Sequence, residues 1–283
     1  MSLLDRAVFY SSIEVVAIGR PALDLERPEG VLSILSLCKP DLIVNAAAYT
    51  AVDHAETEER LAVAVNRDGA VAVAAAAQLL GVPLIHLSTD YVYDGLKGLP
   101  YVESDPTTPL NVYGRSKLAG EQAVRMACPD ALILRTAWVY SPFGRNFVKT
   151  MLRLGAERPV LRVVDDQWGN PTSAFDLADA VLRMVPAFKT GTGQGRILHV
   201  AGSGHTTWCR FAREIFRLTS ESGGRAPEIE AIATSDYPTP ARRPANTSLN
   251  LAALEGIFDI STPAWAVGLH RVIARLKDHS RVQ

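Results

Sequence analysis

The sequence predicts a doubly wound α/β fold, in which helices cover both faces of a parallel sheet. Short apolar runs rich in β-branched residues predict strands at 13–18, 42–45, 83–88 and 131–135. Longer helix-like stretches separate them, at 28–37, at the alanine-rich 57–80 and at 112–127. Strands that alternate with helices in this way are typical of βαβ units with a buried parallel sheet.

The pattern changes after about residue 140. The remaining elements are predicted to be a helix at 145–155, the run DDQWGNPTSAFDLADAVLRMV, a glycine-rich loop leading into the strand RILHV, the helix TTWCRFAREIFRL and a last helix at 263–278. These pieces are too scattered for a second independent domain. They predict a small lobe that caps the sheet.

Composition excludes several classes of function. The 283 residues are 48% hydrophobic and carry a net charge of −1 with interspersed signs, so no basic field exists to attract nucleic acid or an anionic membrane. Cys38, Cys128 and Cys209 lie far apart without a CxxC motif, which suits a reducing cytosol.

No apolar run reaches the roughly 18 to 20 residues of a membrane helix, and no leader is evident. The six histidines show no HExxH motif and no cysteine partners, so no metal site is predicted. His86, in mid-strand, is expected to be a satisfied core residue.

Polar side chains follow the predicted strand 83–88, in the run HLSTDYVYDG. Ligands of open parallel sheets bind outside the carboxyl ends of the strands, which is where Ser88, Thr89, Asp90 and Tyr91 lie. The Thr89 hydroxyl can donate to a carbonyl oxygen.

The next run, NVYGRSKLAGEQAV, places Asn111 at a helix N-cap, with Tyr113 and Lys117 one turn apart on one face. An ammonium beside a phenol favours the phenolate and so lowers the tyrosine pKa from about 10. A lone Tyr-x-x-x-Lys pair is most often a surface pair. The Ser-Thr sequence at the preceding strand end favours general acid–base catalysis.

Thr89, Tyr113 and Lys117 together resemble the catalytic triad of the extended short-chain dehydrogenase/reductase superfamily. Within it, the chain resembles the dTDP-4-dehydrorhamnose reductase family from about residue 13 onward. The runs that carry this resemblance are VNAAAYTAVDHAE (44–56), STDYVYDG (88–95), PLNVYGRSKLAGE (109–121), LRTAWVY (134–140), NFVKTML (146–152), DDQWGNPT (165–172) and YPTPARRPANTSLN (237–250).

The resemblance implies reduction of the C4 keto group of dTDP-4-dehydro-L-rhamnose to dTDP-L-rhamnose. Tyr113 would protonate the nascent alkoxide, Thr89 would polarise the carbonyl, and Lys117 would hold the nicotinamide ribose. It implies a cytoplasmic enzyme with a nucleotide sugar as its partner and leaves a homodimer open. Residues 1–140 would form the dinucleotide-binding domain, to which about 160–200 return, and 141–160 with 201–283 would form the substrate-binding lobe.

Substrate contacts are expected from Thr89, Asp90, Tyr91, Trp138 and Arg243. By the resemblance, Asp90 and Trp138 match substrate-contacting positions. A tryptophan beyond a strand end offers a flat face to a sugar ring, although ordinary core packing is the alternative. Arg242 and Arg243, in the proline-rich run, can pair with pyrophosphate oxygens or be solvated loop residues.

Cofactor contacts are expected from Arg20, Asp24, Leu25, Ala47, Ala48, Tyr49 and Thr50, together with Tyr113 and Lys117. The small residues after strand 42–45 allow backbone to approach a cofactor closely. Arg20 stands where an acidic residue would bind the ribose of NAD, so NADPH is predicted, with NADH as the alternative. The resemblance places Asp24 and Leu25 on the adenine side.

Members of the family begin with a strand, a glycine-rich turn and a helix whose N-terminus faces the cofactor pyrophosphate. Here Leu3, Leu4, Ala7 and Val8 stand at helical spacing and fit the end of that helix, so the first strand and the turn are expected to be missing. We then expect strand 13–18 to shift toward 42–45, or 5–10 to be disordered, or a second chain to fill the gap. Weak NADPH binding would follow.

Two other classes of function stay open at this point. One is another nucleotide-sugar enzyme of the superfamily, such as an epimerase, which would retain its cofactor and show no net oxidation. The other is a non-catalytic relative like the reductase-shaped regulatory subunit of methionine adenosyltransferase. The presence of Thr89, Tyr113 and Lys117 argues against the latter.

Overall fold

A four-stranded parallel sheet forms the centre of the computed structural model, which describes residues 1–221 and 223–280. In chain order the strands are β1 (Ile43–Asn45), β2 (Leu84–Thr89), β3 (Leu132–Thr136), β4 (Val139–Tyr140), β5 (Val160–Val164), β6 (Trp168–Gly169), β7 (Thr172–Ser173), β8 (Ile197–His199), β9 (Thr206–Thr207) and β10 (Glu228–Ile232). The central order is β1-β2-β3-β8, and each neighbouring pair runs parallel. Three of the four predicted strands are therefore confirmed within about a residue.

Helices cover both faces of this sheet. They are α1 (Ser2–Ala7), α2 (Val31–Cys38), α3 (Val52–Ala55), α4 (Glu59–Val63), α5 (Ala70–Leu80), α6 (Val112–Ala127), α7 (Phe147–Glu157), α8 (Ala174–Lys189), α9 (Trp208–Ser220), α10 (Ala252–Phe258) and α11 (Trp265–Ser280). Leu84 packs with α2 and α5 on one face, whereas its neighbour Ile85 packs with α8 and α10 on the other. The doubly wound arrangement is thereby confirmed.

The predicted strand at 13–18 is wrong. In the described residues this segment has no strand assignment, and Val16 is 64% exposed. β1 pairs with β2 only, so the segment has not moved into the sheet beside 42–45. β-Branched residues form a strand only where a neighbouring strand supplies backbone partners and packing, and the described residues place none beside this segment.

The residues before position 13 form a helix, as their spacing predicts, and they are not disordered at 5–10. α1 packs against α8, where Arg6 Nε lies 2.7 Å from Asp179 Oδ1. The Tyr10 hydroxyl lies 3.4 Å from the same Asp179 oxygen. The segment is thus attached to the helical layer beside the sheet.

The alanine-rich helical stretch predicted at 57–80 is confirmed, but it has the length and hydropathy of a membrane helix, which was not expected from the sequence. Glu59–Leu80 comprises α4, a π-helical turn at Ala64–Gly69 and α5, and by length and composition it could cross a membrane. Its most apolar window is 44% buried inside the protein. Ala74 and Ala77 are fully buried, in the cluster that contains Leu84 of β2. The stretch is therefore a core helix of this fold.

A second cluster of buried side chains lies beyond the sheet. α7, α9 and α11 contribute Val148, Phe211 and Leu269 to it. β5 pairs in parallel with β10 in a sheet of its own, so residues 160–164 lie apart from the central sheet, while α8 and β8 return to it.

Candidate active site

At the carboxyl end of β2 the chain turns and brings a short polar sequence together. Thr89 ends the strand in an extended conformation and caps the 3₁₀ turn Asp90–Val92. Its Oγ1 accepts a hydrogen bond from the Tyr91 amide at 3.2 Å and donates to Asp90 Oδ1 at 3.1 Å. Both side chains are nearly buried, so their polar atoms meet in a site from which water is largely excluded.

Helix α6 packs closely on its neighbours because two of its positions lack a side chain. Asn111 caps the helix by accepting from the Gly114 amide at 2.8 Å, as predicted. A Cβ on Gly114 would lie 2.3 Å from the Tyr91 carbonyl oxygen in the turn after β2. One on Gly120 would lie 2.1 Å from the carbonyl oxygen of Asn66, in the π-helical turn before α5. The start of α6, which carries Tyr113, therefore lies directly against the turn.

Tyr113 lies between the turn and solvent, with its half-buried ring edge-on to Tyr91 at a centroid distance of 5.8 Å. Burial raises the pKa of Tyr113 to about 12, and the Thr89 hydroxyl acts in the opposite direction. The expected lowering of this pKa by Lys117 is not found in this arrangement. The reason is that the Lys117 Nζ donates to the Leu87 carbonyl at 2.7 Å.

Lys117 is only 2% exposed. Burial lowers the pKa of its ammonium to about 8, while the negative charge of Glu121 acts to raise it. Its bond to Leu87 O fixes the lysine two residues before Thr89 on β2. The three residues predicted to act together, Thr89, Tyr113 and Lys117, are thus brought to one place.

Asp90 is a buried carboxyl group beside them. It is 3% exposed, and its Oδ2 has no hydrogen-bond partner among the described residues. Burial raises the pKa of Asp90 to about 7, against the effect of the Thr247 and Thr89 hydroxyls.

The proline-rich loop lies over the same end of the sheet. The Arg243 guanidinium forms a bidentate pair with Asp53, at 2.8 and 2.7 Å. The Arg242 carbonyl accepts from Asn111 Nδ2 at 2.9 Å, which ties the loop to the start of α6. Burial raises the pKa of Tyr91, and the charge of Arg243 acts against that rise, so Arg243 lies within electrostatic range of the site.

Trp138 follows β3 with a positive φ of 45°, a conformation that is uncommon for a bulky residue. Its ring stacks on Trp208 of α9, with centroids 3.5 Å apart and planes within 6°. Gly169 also lies against the indole, where a Cβ would be 2.4 Å from Trp138 Cε2, and the residue as a whole is only partly buried. Trp138 therefore combines packing against the second cluster with a surface that a ligand can contact.

The residues expected on the cofactor side lie in two places. Ala46, Ala47 and Thr50 are exposed and Ala48 and Tyr49 are half-buried, in the loop that leaves β1. Arg20 lies in a surface pocket with Asp24, at 2.8 Å from its Oδ1, and is 62% exposed. Leu25 is buried in the core, 7% exposed, so its side chain is a packing contact there.

Comparison with known proteins places this geometry in a family. The sequence profile described as RmlD substrate binding domain matches residues 2–278. The chain belongs to the RmlD substrate-binding domain family. The dTDP-4-dehydrorhamnose reductase of Sinorhizobium fredii is 49% identical over 275 residues, covering 96% of this chain and 93% of that protein. The enzyme of the same name from Salmonella typhimurium is 43% identical over 255 residues, covering 89% and 85%.

Solved structures also match the chain. A dTDP-4-dehydrorhamnose reductase from Clostridium acetobutylicum superposes with a TM-score of 0.89 at 36% identity, covering 97% of this chain and 95% of that one. The Bacillus anthracis reductase, solved in complex with NADP, gives 0.86 at 34% identity, covering 94% and 92%. The family resemblance read from the sequence is confirmed.

One group of buried residues at the site escaped the sequence prediction. Glu121 and Arg135 form an ion pair at 2.6 Å, 1% and 3% exposed, beneath Lys117. His86, expected to be satisfied, has its Nδ1 at 3.2 Å from Asn45 Nδ2 but no partner for Nε2 among the described residues. The available signal was an arginine inside a strand and a glutamate one turn after Lys117.

Proposed function

We propose that this chain reduces the C4 keto group of dTDP-4-dehydro-L-rhamnose to a hydroxyl, with NADPH as reductant. The observation that carries the proposal is the meeting of Thr89, Tyr113 and Lys117 at the carboxyl end of β2. The names of the relatives support the choice of substrate. The NADP complex of the Bacillus anthracis reductase supports the choice of cofactor.

The residues around the site fit a dinucleotide. The loop after β1 carries exposed alanines, so backbone is accessible there, and the Lys117 ammonium has further donors beyond its bond to Leu87 O. Arg20 would hold the adenosine 2′-phosphate and Lys117 the nicotinamide ribose. When bound, NADPH supplies the hydride.

The chain's own groups supply the proton and the electrostatics. Tyr113, with a pKa of about 12, is protonated at neutral pH and can donate its phenolic proton to the alkoxide that forms at C4. Thr89 would turn its hydroxyl from Asp90 toward the substrate oxygen and stabilise the developing charge. Lys117 would stabilise the phenolate left on Tyr113.

The remaining expected contacts define the substrate side. Arg243 is suited to pyrophosphate oxygens because its planar fork binds oxygens in pairs, as it binds Asp53 here. Asp90, Tyr91 and Trp138 would contact the sugar. We retain the division into a dinucleotide-binding domain (1–140, with about 160–200) and a substrate-binding lobe (141–160 and 201–283), except that β5 goes with the lobe because it pairs with β10. We also propose a cytoplasmic location and a homodimer, the latter to be tested by sedimentation.

The test is turnover of dTDP-4-dehydro-L-rhamnose with NADPH, followed by the loss of nicotinamide absorbance and by product analysis. Tyr113→Phe should lower kcat by about 10² to 10⁴, because only the proton donor is removed. Tyr10→Phe, which removes a hydroxyl from the distant α1–α8 contact, is the matched control and should retain activity. Sugar interconversion without net NADPH oxidation would indicate an epimerase, and no turnover by the unmodified chain would contradict the proposal.

A further inference from the structure

A row of buried polar side chains crosses the central sheet beneath Lys117. Ser88, Arg135 and His199 are register neighbours on β2, β3 and β8. All three are at most 4% exposed. A polar row through the middle of a parallel sheet is unusual, because such strands are normally apolar on both faces. Each member therefore needs a partner.

Glu121 accepts hydrogen bonds from two members of this row, Ser88 and Arg135. It lies one turn after Lys117 on α6 and is 1% exposed. Its Oε1 accepts from Ser88 Oγ at 2.5 Å and from Arg135 Nε at 2.9 Å, and its Oε2 accepts from Arg135 Nη2 at 2.6 Å. Three donors on two oxygens hold the carboxylate by charge-assisted hydrogen bonds.

Arg135 is fixed from its other side as well. Its Nη1 donates to the Tyr93 hydroxyl at 2.8 Å, and that hydroxyl lies 2.7 Å from His199 Nε2. His199 Nδ1 in turn lies 3.1 Å from the Asn250 carbonyl oxygen. The carboxylate of Glu121 is thus held in one position by a network that extends to the far edge of the sheet.

The titratable groups around Lys117 come from α6 and β2. α6 contributes Tyr113 and Glu121, whose charge acts to raise the lysine pKa, and β2 contributes His86. Asp90, in the turn after β2, acts on Tyr113, and Arg135 on β3 is paired with Glu121. His86 is a neutral imidazole, since burial and the Lys117 charge lower its pKa. Two buried cations, Lys117 and Arg135, therefore share the negative charge of Glu121.

We propose that Glu121 is a positioning residue that keeps Lys117 charged, so that the ammonium can act on the cofactor ribose. This inference rests on the function proposed above. Glu121 is not a catalytic residue, because its oxygens bond Ser88 and Arg135 behind the lysine. Without its charge, two cations would be buried with no counter-charge, and the least costly relief is loss of the Lys117 proton.

The experiment compares the pH dependence of kcat/KM between pH 5.5 and 9.5 in the wild type and three variants. Glu121→Gln retains the shape but not the charge. In this variant the fall of kcat/KM at alkaline pH, the alkaline limb of the profile, should move to lower pH by about one unit or more. Glu121→Asp retains the charge and should hold the limb near the wild-type position. Tyr93→Phe removes a bond to Arg135 without changing any charge, so it should lower the melting temperature and leave the limb unmoved.

Direct titration separates this inference from the proposed function. The Lys117 side chain, followed by NMR in lysine-labelled protein and assigned with Lys117→Arg, should lose its proton at lower pH in Glu121→Gln, whether or not the chain turns over the sugar. If Glu121→Gln is too unstable to titrate, the measurement is repeated in sucrose, which favours the folded state, and Lys117 should again lose its proton at lower pH than in the wild type. An unshifted Lys117 in the variant that folds, or a loss of activity by the same factor at every pH, would overturn the proposal.

Discussion

Replacing the buried carboxyl of Asp90 by an amide should make the free energy of unfolding less dependent on pH. The Asp90 pKa is raised by burial from 3.8 to about 7, so the folded state binds a proton that the unfolded state has already released. Stability therefore falls as pH rises between these two values and levels off above pH 7. The separation of about three units corresponds to roughly 4 kcal/mol, of which about 2 to 3 kcal/mol develops between pH 5 and 8.

Urea unfolding of the wild type and Asp90→Asn at pH 5, 6, 7 and 8 measures this effect. The difference in stability between the two proteins should grow in favour of the variant by about 2 to 3 kcal/mol across the series. Asp94→Asn is the matched control, because its pKa is lowered by the Leu96 amide and the Tyr101 hydroxyl, and its charge favours the folded state above pH 4. Parallel stability curves for wild type and Asp90→Asn would show that Asp90 is ionised in the folded protein and would refute the reasoning.

Three further outcomes are expected. Thr89→Val should lower kcat by about 10² with a smaller change in KM, because one donor to the developing oxyanion is lost. Steady-state kinetics measure both constants. An unchanged kcat would show that Thr89 takes no part in the mechanism. Arg20→Ala should weaken NADPH more than NADH in calorimetric titrations, because only NADPH carries the 2′-phosphate. Equal losses would place Arg20 away from that phosphate. Gly114→Ala should destabilise the fold by about 1 to 3 kcal/mol in thermal unfolding, because its Cβ would meet Tyr91 O. Gly256→Ala is the control and should not, because no atom lies within 4 Å of the added Cβ. Equal melting temperatures for the two variants would contradict the close approach of α6.

Short sequence patterns predicted those strands and helix positions that depend only on neighbouring residues in the chain. β2 and β3 are apolar runs at the sheet centre, and Asn111, Tyr113 and Lys117 are fixed by helical spacing alone. Residues 13–18 have the same β-branched composition, but the described residues place no strand beside them, which the run itself does not encode. An arginine inside a strand and a glutamate one turn after Lys117 are visible in the sequence, but whether Arg135 meets Glu121 depends on the register of β3 and on how α6 crosses the sheet.

The stacked indoles of Trp138 and Trp208 give the protein a built-in optical reporter. One ring follows the central sheet and the other begins α9 in the second cluster, and their planes are almost parallel at 3.5 Å. Two indoles this close couple their electronic transitions, which produces a paired signal in near-ultraviolet circular dichroism. A ligand that moves α9 relative to the sheet will change that signal without any added label.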